Sequence, residues 1–99
     1  MGAKGIATLA FGSTPASTAT VDVTGQTGLT TAAYAAGTQA GEAFFTGRSS
    51  TDFTADQYEE AAALCHLVCS CPADGTLRIT AHTLAMLGTG DLTVNWVWD

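Results

Sequence analysis

Charged residues, and basic ones above all, are scarce in this chain of 99 residues. Lysine and arginine number three against nine acidic residues, and charged residues make up 12% of the chain, whereas ordinary domains carry about a quarter. The three cations, Lys4, Arg48 and Arg78, are too few and too scattered to neutralise a row of phosphates. We therefore expect no direct binding of nucleic acid. A surface this poor in charge is either covered by neighbouring molecules or kept soluble by hydroxyl groups.

Long apolar runs are missing as well. No stretch approaches the roughly 20 apolar residues of a membrane span, and the first residues lack a basic region followed by an apolar core. We therefore expect neither a membrane anchor nor export. Cysteine is limited to Cys65, Cys69 and Cys71 within one segment, and this odd, clustered set indicates reduced thiols from a cytosolic place of synthesis.

Apolar residues are plentiful, at 46% of the chain, and many of them recur with a period of two. This alternation is typical of strands with one buried and one exposed face. We predict a mainly β fold with one domain over residues 1–99, either a small antiparallel β-sandwich or a partly closed, jelly-roll-like barrel. The last two strands, separated by Gly88–Asp91, are predicted to pair as a hairpin. The alternation is carried by Ala7, Leu9 and Phe11; Ala19, Val21 and Val23; Leu77, Ile79 and Ala81; and Leu92, Val94, Trp96 and Trp98.

Three segments depart from simple alternation. Residues 29–41 are mostly Thr, Ala and Gly, so we expect a loop or an arm that is ordered by assembly. Thr54–Gln57 has the spacing of a capping box, which predicts one short helix near residues 55–62. Residues 61–71 are apolar on both faces and predict a central strand from about Leu64 onward, with an alanine-led helix as the alternative.

The segment of Cys65, His66, Cys69 and Cys71 has the residue types of a metal site or of a thiol nucleophile. On a strand, however, adjacent Cys65 and His66 face opposite ways, and Cys65 and Cys69 lie about 13 Å apart. Another possible ligand or base, His82, is distant in sequence. We therefore predict buried apolar cysteines, with no catalytic residue, no metal and no cofactor.

An acidic group of four residues could in principle hold Ca²⁺. It lacks the spacing and the glycine of an EF-hand loop, and its members better fit the start of the predicted helix, where negative charge is favourable. We expect no calcium site there. The four residues are Asp52, Asp56, Glu59 and Glu60.

The aromatic residues are the predicted packing and interface positions. Phe44 and Phe45 face opposite ways on a strand, so at least one ring needs cover beyond a single sheet face. Trp96 and Trp98 share one strand face and are expected in the core or at a subunit interface, although two such rings could instead stack on sugars. The complete predicted set is Phe11, Tyr34, Phe44, Phe45, Trp96 and Trp98.

Four segments together resemble small β-rich accessory structural proteins of tailed-bacteriophage virions. They are Gly5–Gly12 (GIATLAFG), Ala19–Gln26 (ATVDVTGQ), Glu42–Phe44 (EAF) and Leu92–Trp98 (LTVNWVW). The resemblance implies a non-enzymatic virion component, made in the host bacterial cytoplasm, that oligomerises and packs on a larger capsid or tail protein. Such proteins decorate or cement the capsid, or join the tail tip and fibres. The alternative, from the tryptophans, Tyr34 and the acidic group, is a carbohydrate-binding module for host attachment.

Overall fold

A computed structural model describes residues 2–11, 16–45, 65–87 and 91–99. The helix predicted near residues 55–62 and the acidic group lie outside the described residues. The elements are β1 (Ala3–Ala10), β2 (Ala16–Val23), α1 (Thr31–Ala36), β3 (Gly41–Phe44), β4 (Cys65–Ala73), β5 (Thr76–Leu87) and β6 (Asp91–Trp98).

The strands form two three-stranded antiparallel sheets. Sheet A has the order β1-β6-β3, and sheet B has the order β2-β5-β4. β1 lies next to β2 and β3 lies next to β4, so the two sheets stack on each other. The predicted mainly β, antiparallel sandwich is confirmed.

The core lies between the sheets and is built from the residues that alternate in the sequence. Leu9, Leu77, Ile79 and Val94 have no exposed surface, and Leu92 has almost none. Because side chains on a strand point alternately to opposite faces, each strand can cover the core with one face while the other meets solvent. The predicted inward and outward positions are therefore confirmed wherever the described strands include them.

Two predictions about strand neighbours are wrong. β5 and β6 are not a hairpin: β6 lies between β1 and β3, whereas β5 lies between β2 and β4. Their apolar faces meet across the core instead of their edges pairing, because this arrangement hides both faces at once. β4, predicted as a central strand, is an edge strand of sheet B within the described residues. Only its inward face is covered, and Val68 on its outward face is 44% exposed.

The segment 29–41, for which we expected a loop or an arm, contains the helix α1. The Thr30 side chain caps the helix by accepting a hydrogen bond from the Ala33 amide at 3.1 Å. Gly37 ends it in the left-handed conformation, with φ of 82°. The Thr31 amide donates to the Asp74 carboxylate at 2.9 Å, so the start of the helix is tied to the turn between β4 and β5.

The two tryptophans are both buried but differ in their polar contacts. The Trp98 indole N–H donates to Oε1 of Gln26 at 2.8 Å. The Trp96 indole N–H is buried without a hydrogen-bond partner in the described part of the chain. The Trp96 ring lies over Gly5 on the paired strand, where an added Cβ would come within 2.7 Å of the ring. Gly5 thus provides the space that this ring fills.

This difference predicts unequal costs for two matched substitutions. Trp98→Phe removes a hydrogen bond and leaves the side-chain oxygen of Gln26 without its donor, whereas Trp96→Phe removes none. Trp98→Phe should therefore lower the free energy of unfolding by about 1 kcal/mol more than Trp96→Phe. Urea denaturation measures both, since each variant keeps one tryptophan as a fluorescent reporter. Equal losses in the two variants would show that the Gln26 contact contributes nothing.

Candidate interaction surface

The outer faces of the two sheets differ in chemistry. The outer face of sheet B is mostly hydroxyl, imidazole and charged groups, and Arg78 there forms a two-point ion pair with Asp22, with nitrogen to oxygen distances of 2.8 and 3.1 Å. Hydrogen bonding to Arg78 lowers the pKa of Asp22. The residues of this face are Thr18, Thr20, Asp22, His66, Val68, Ser70, Arg78, Thr80 and His82.

The outer face of sheet A carries the larger exposed apolar groups. Ile6 on β1 and Phe44 on β3 are 55% and 43% exposed. Both pair with Asn95 of the central strand, so the three residues form one row across the sheet, which we call the Ile6 row. A sheet face that presents isoleucine and phenylalanine to solvent is a candidate interaction surface.

A second row on the same face carries opposite charges at its two ends. Lys4 and Glu42 both pair with Val97 of β6, and we call this set the Lys4 row. Lys4 and Glu42 are exposed, and within the described part of the chain neither forms an ion pair. Two strand spacings, about 9.6 Å, separate their backbones. Apolar and charged groups are therefore fixed in adjacent rows by strand pairing.

A shallow depression of about 440 Å³ lies on this face. Its walls include Ile6 and Phe44 from the two outer strands, and its floor includes Asn95 and Val97 from the central strand. The depression thus has apolar side chains on both outer strands and the charge of Lys4 at one side.

The predicted aromatic residues do not gather at this surface. Phe11, Trp96 and Trp98 are buried in the core, at 6%, 7% and 2% exposure. Because both tryptophan rings are buried, they do not present a surface on which sugars can stack. The described residues therefore add no observation in favour of the carbohydrate-binding alternative. Of the predicted set, Phe44 alone is largely exposed in the described structure.

Tyr34 and Phe45 are half-buried and pack against the core. The Tyr34 hydroxyl donates to the Cys69 carbonyl at 2.9 Å and lies 3.4 Å from the Gly41 amide, which donates to it. Burial raises the pKa of this tyrosine. Tyr34 therefore joins α1 to β3 and β4.

The residue that the sequence did not single out is Ile6. It lies on the face of β1 opposite to the alternating residues Ala7 and Leu9, and that face is the exposed one. Its importance depends on its position across β6 from Phe44, which follows from the register of three strands. An isoleucine on an otherwise small or polar strand face was the available signal.

The cysteine segment is extended, and its thiols point inward. Cys65, Cys69 and Cys71 are free thiols that pack against the core, and they are half-buried where we predicted buried side chains. His66 points outward and pairs in register with His82 on β5, so these two histidines are neighbours. Within the described ranges, no three potential ligands come together as a metal site.

Burial lowers the acidity of two of these thiols. It raises the pKa of Cys65, and together with the nearby negative charge of Glu42 it raises the pKa of Cys69 from 9.0 to about 11. A thiol nucleophile needs the opposite shift, because the thiolate is the reactive form. The environment of Cys69 therefore suits packing and not reaction.

We predict slow alkylation of Cys69 in the variant Cys65→Ser/Cys71→Ser, in which it is the remaining cysteine. A pKa near 11 instead of 9.0 leaves about a hundredfold less thiolate at pH 8. The rate of reaction with iodoacetamide should therefore be at least that much below the rate for the same variant unfolded in urea. Equal rates in the folded and unfolded states would show that burial does not suppress the thiolate, and a faster rate in the folded state would show an activated thiol.

In comparisons with known proteins, no family model, no curated protein and no solved structure matches this chain. The helix in the described part of the chain has six residues, and none there is long and apolar enough to cross a membrane.

Proposed function

We propose that this chain is a non-enzymatic structural component of a tailed-bacteriophage virion, made in the host cytoplasm. It oligomerises and packs on a larger capsid or tail protein, and so decorates or cements the particle at the capsid surface or at the tail tip and fibres. Binding would be driven by burial of apolar surface, worth roughly 25 cal/mol per Å².

The observation that carries this proposal is the Ile6 row on the outer face of sheet A. The inner faces of both sheets are already covered by each other, so the apolar side chains on this outer face serve no purpose in the core. Exposed isoleucine and phenylalanine on a rigid sheet are suited to contact with another protein. The class of assembly, a virion, is supported by the resemblance in the four strand and turn segments.

Mass spectrometry of purified particles tests the proposal. Particles from a phage that encodes this chain should contain it after density-gradient purification, in a fixed ratio to the major capsid protein that survives repeated purification. Abundant chain in the infected-cell lysate, with none in the particles, would contradict a virion role. Particles mixed with free chain after lysis are the control for adventitious adsorption.

A further inference from the structure

On the outer face of sheet A, the Lys4 row ends in opposite charges and the Ile6 row ends in two apolar side chains. We propose, building on the proposed function above, that the face binds the same face of a second copy of this chain. The copies are related by a two-fold axis that runs parallel to β6. Lys4 then faces Glu42 of the partner subunit, and Ile6 faces Phe44 of the partner subunit.

The arrangement follows from the register of sheet A. Two sheets that pack face to face by a two-fold rotation have their axis in the plane between them. When the axis follows the central strand, β1 of one copy lies over β3 of the other, and every row keeps its position along the strands. Lys4 and Glu42 share a row, as do Ile6 and Phe44. Each contact therefore occurs twice, as in any isologous interface.

The charges select this axis over the other two-fold axis in the same plane. An axis across the strands would place β1 over β1 of the second copy. Lys4 would then face Lys4, Ile6 or Thr8 of the partner subunit, depending on where the axis crosses, and at no crossing would it face Glu42 of the partner subunit. Like charges in contact and charges buried against apolar groups are both unfavourable. The axis along β6 instead pairs each charge with its opposite and each apolar end with an apolar end.

The other outer face offers no equivalent match. On sheet B, Arg78 is already satisfied by Asp22 of the same chain, and the neighbouring row positions hold threonine and serine. Val68 on this face is exposed to the same extent as Phe44, at 44% against 43%, but its row continues with Thr80 on β5 and Thr20 on β2. Val68 is therefore a matched control position for the apolar contacts of sheet A.

The size of the face predicts a weak dimer. Three strands of about eight residues cover roughly 14 by 27 Å, or about 380 Å² on each copy, and β3 is shorter. Stable interfaces bury about 800 Å² on each partner. The purified chain should therefore dimerise only at high concentration. Weak contacts of this kind become effective when many copies are held together in one assembly.

Charge reversal in two separate variants tests the proposal by sedimentation equilibrium over a wide concentration range. Lys4→Glu places glutamate against Glu42 of the partner subunit, and Glu42→Lys places lysine against Lys4 of the partner subunit. Each variant alone should dimerise roughly tenfold to a hundredfold more weakly than the unchanged chain. An equimolar mixture of the two should associate as strongly as the unchanged chain, because every facing pair is again of opposite sign.

Restored association in the mixture is a result that only contact between copies explains. Ile6→Thr should also weaken the dimer, whereas Val68→Thr should leave it unchanged; circular dichroism confirms that all variants fold. A chain that stays monomeric at every concentration, or a mixture that associates no better than its components, would overturn the dimer. Particle incorporation is measured separately, so a monomeric chain that is present in virions would refute this interface and leave the virion role standing.

Discussion

The whole structure depends on burying the apolar face of β6 against that of β5. Each strand has one apolar side, with Val94 and Trp96 on β6 and Leu77 and Ile79 on β5. These side chains are buried, since exposing them to water would cost free energy. Placing the two strands in different sheets hides both sides at once, and the remaining strands then pair along their edges. The outer faces become the surface of the molecule, and their chemistry decides what the protein contacts.

Most of the inward and outward directions could be predicted because the side-chain period of a strand is set by the local backbone. The partners of each strand could not, since a strand with one apolar face fits equally well beside or across from another. This is why the hairpin of β5 and β6 and the central position of β4 were wrong. The helix α1 was missed because six alanine-rich residues are too few to show a helical period, although Thr30 and Gly37 carried capping signals.

The candidate surface could be predicted only in part, for the same reason. Phe44 stood out as a ring in need of cover, but its counterpart Ile6 is 38 positions away in sequence and becomes a neighbour only through β6. Likewise, Lys4 and Glu42 share a row only because the register of three strands places both opposite Val97. The tryptophans suggested an interface by their size, yet large rings also fill a small core well, and here the core takes them.

A contact between Ile6 of one copy and Phe44 of another would be the most direct sign that the outer face of sheet A is an interface, as we propose. Within one chain the backbones of these two residues stand two strand spacings apart, about 9.6 Å, and an isotope filter removes any effect that arises within a single chain. An isotope-filtered experiment on a concentrated mixture of labelled and unlabelled chain should show an effect between the Ile6 methyl groups and the Phe44 ring. Intermolecular effects confined to the outer face of sheet B, or none in a sample that is dimeric, would contradict the account.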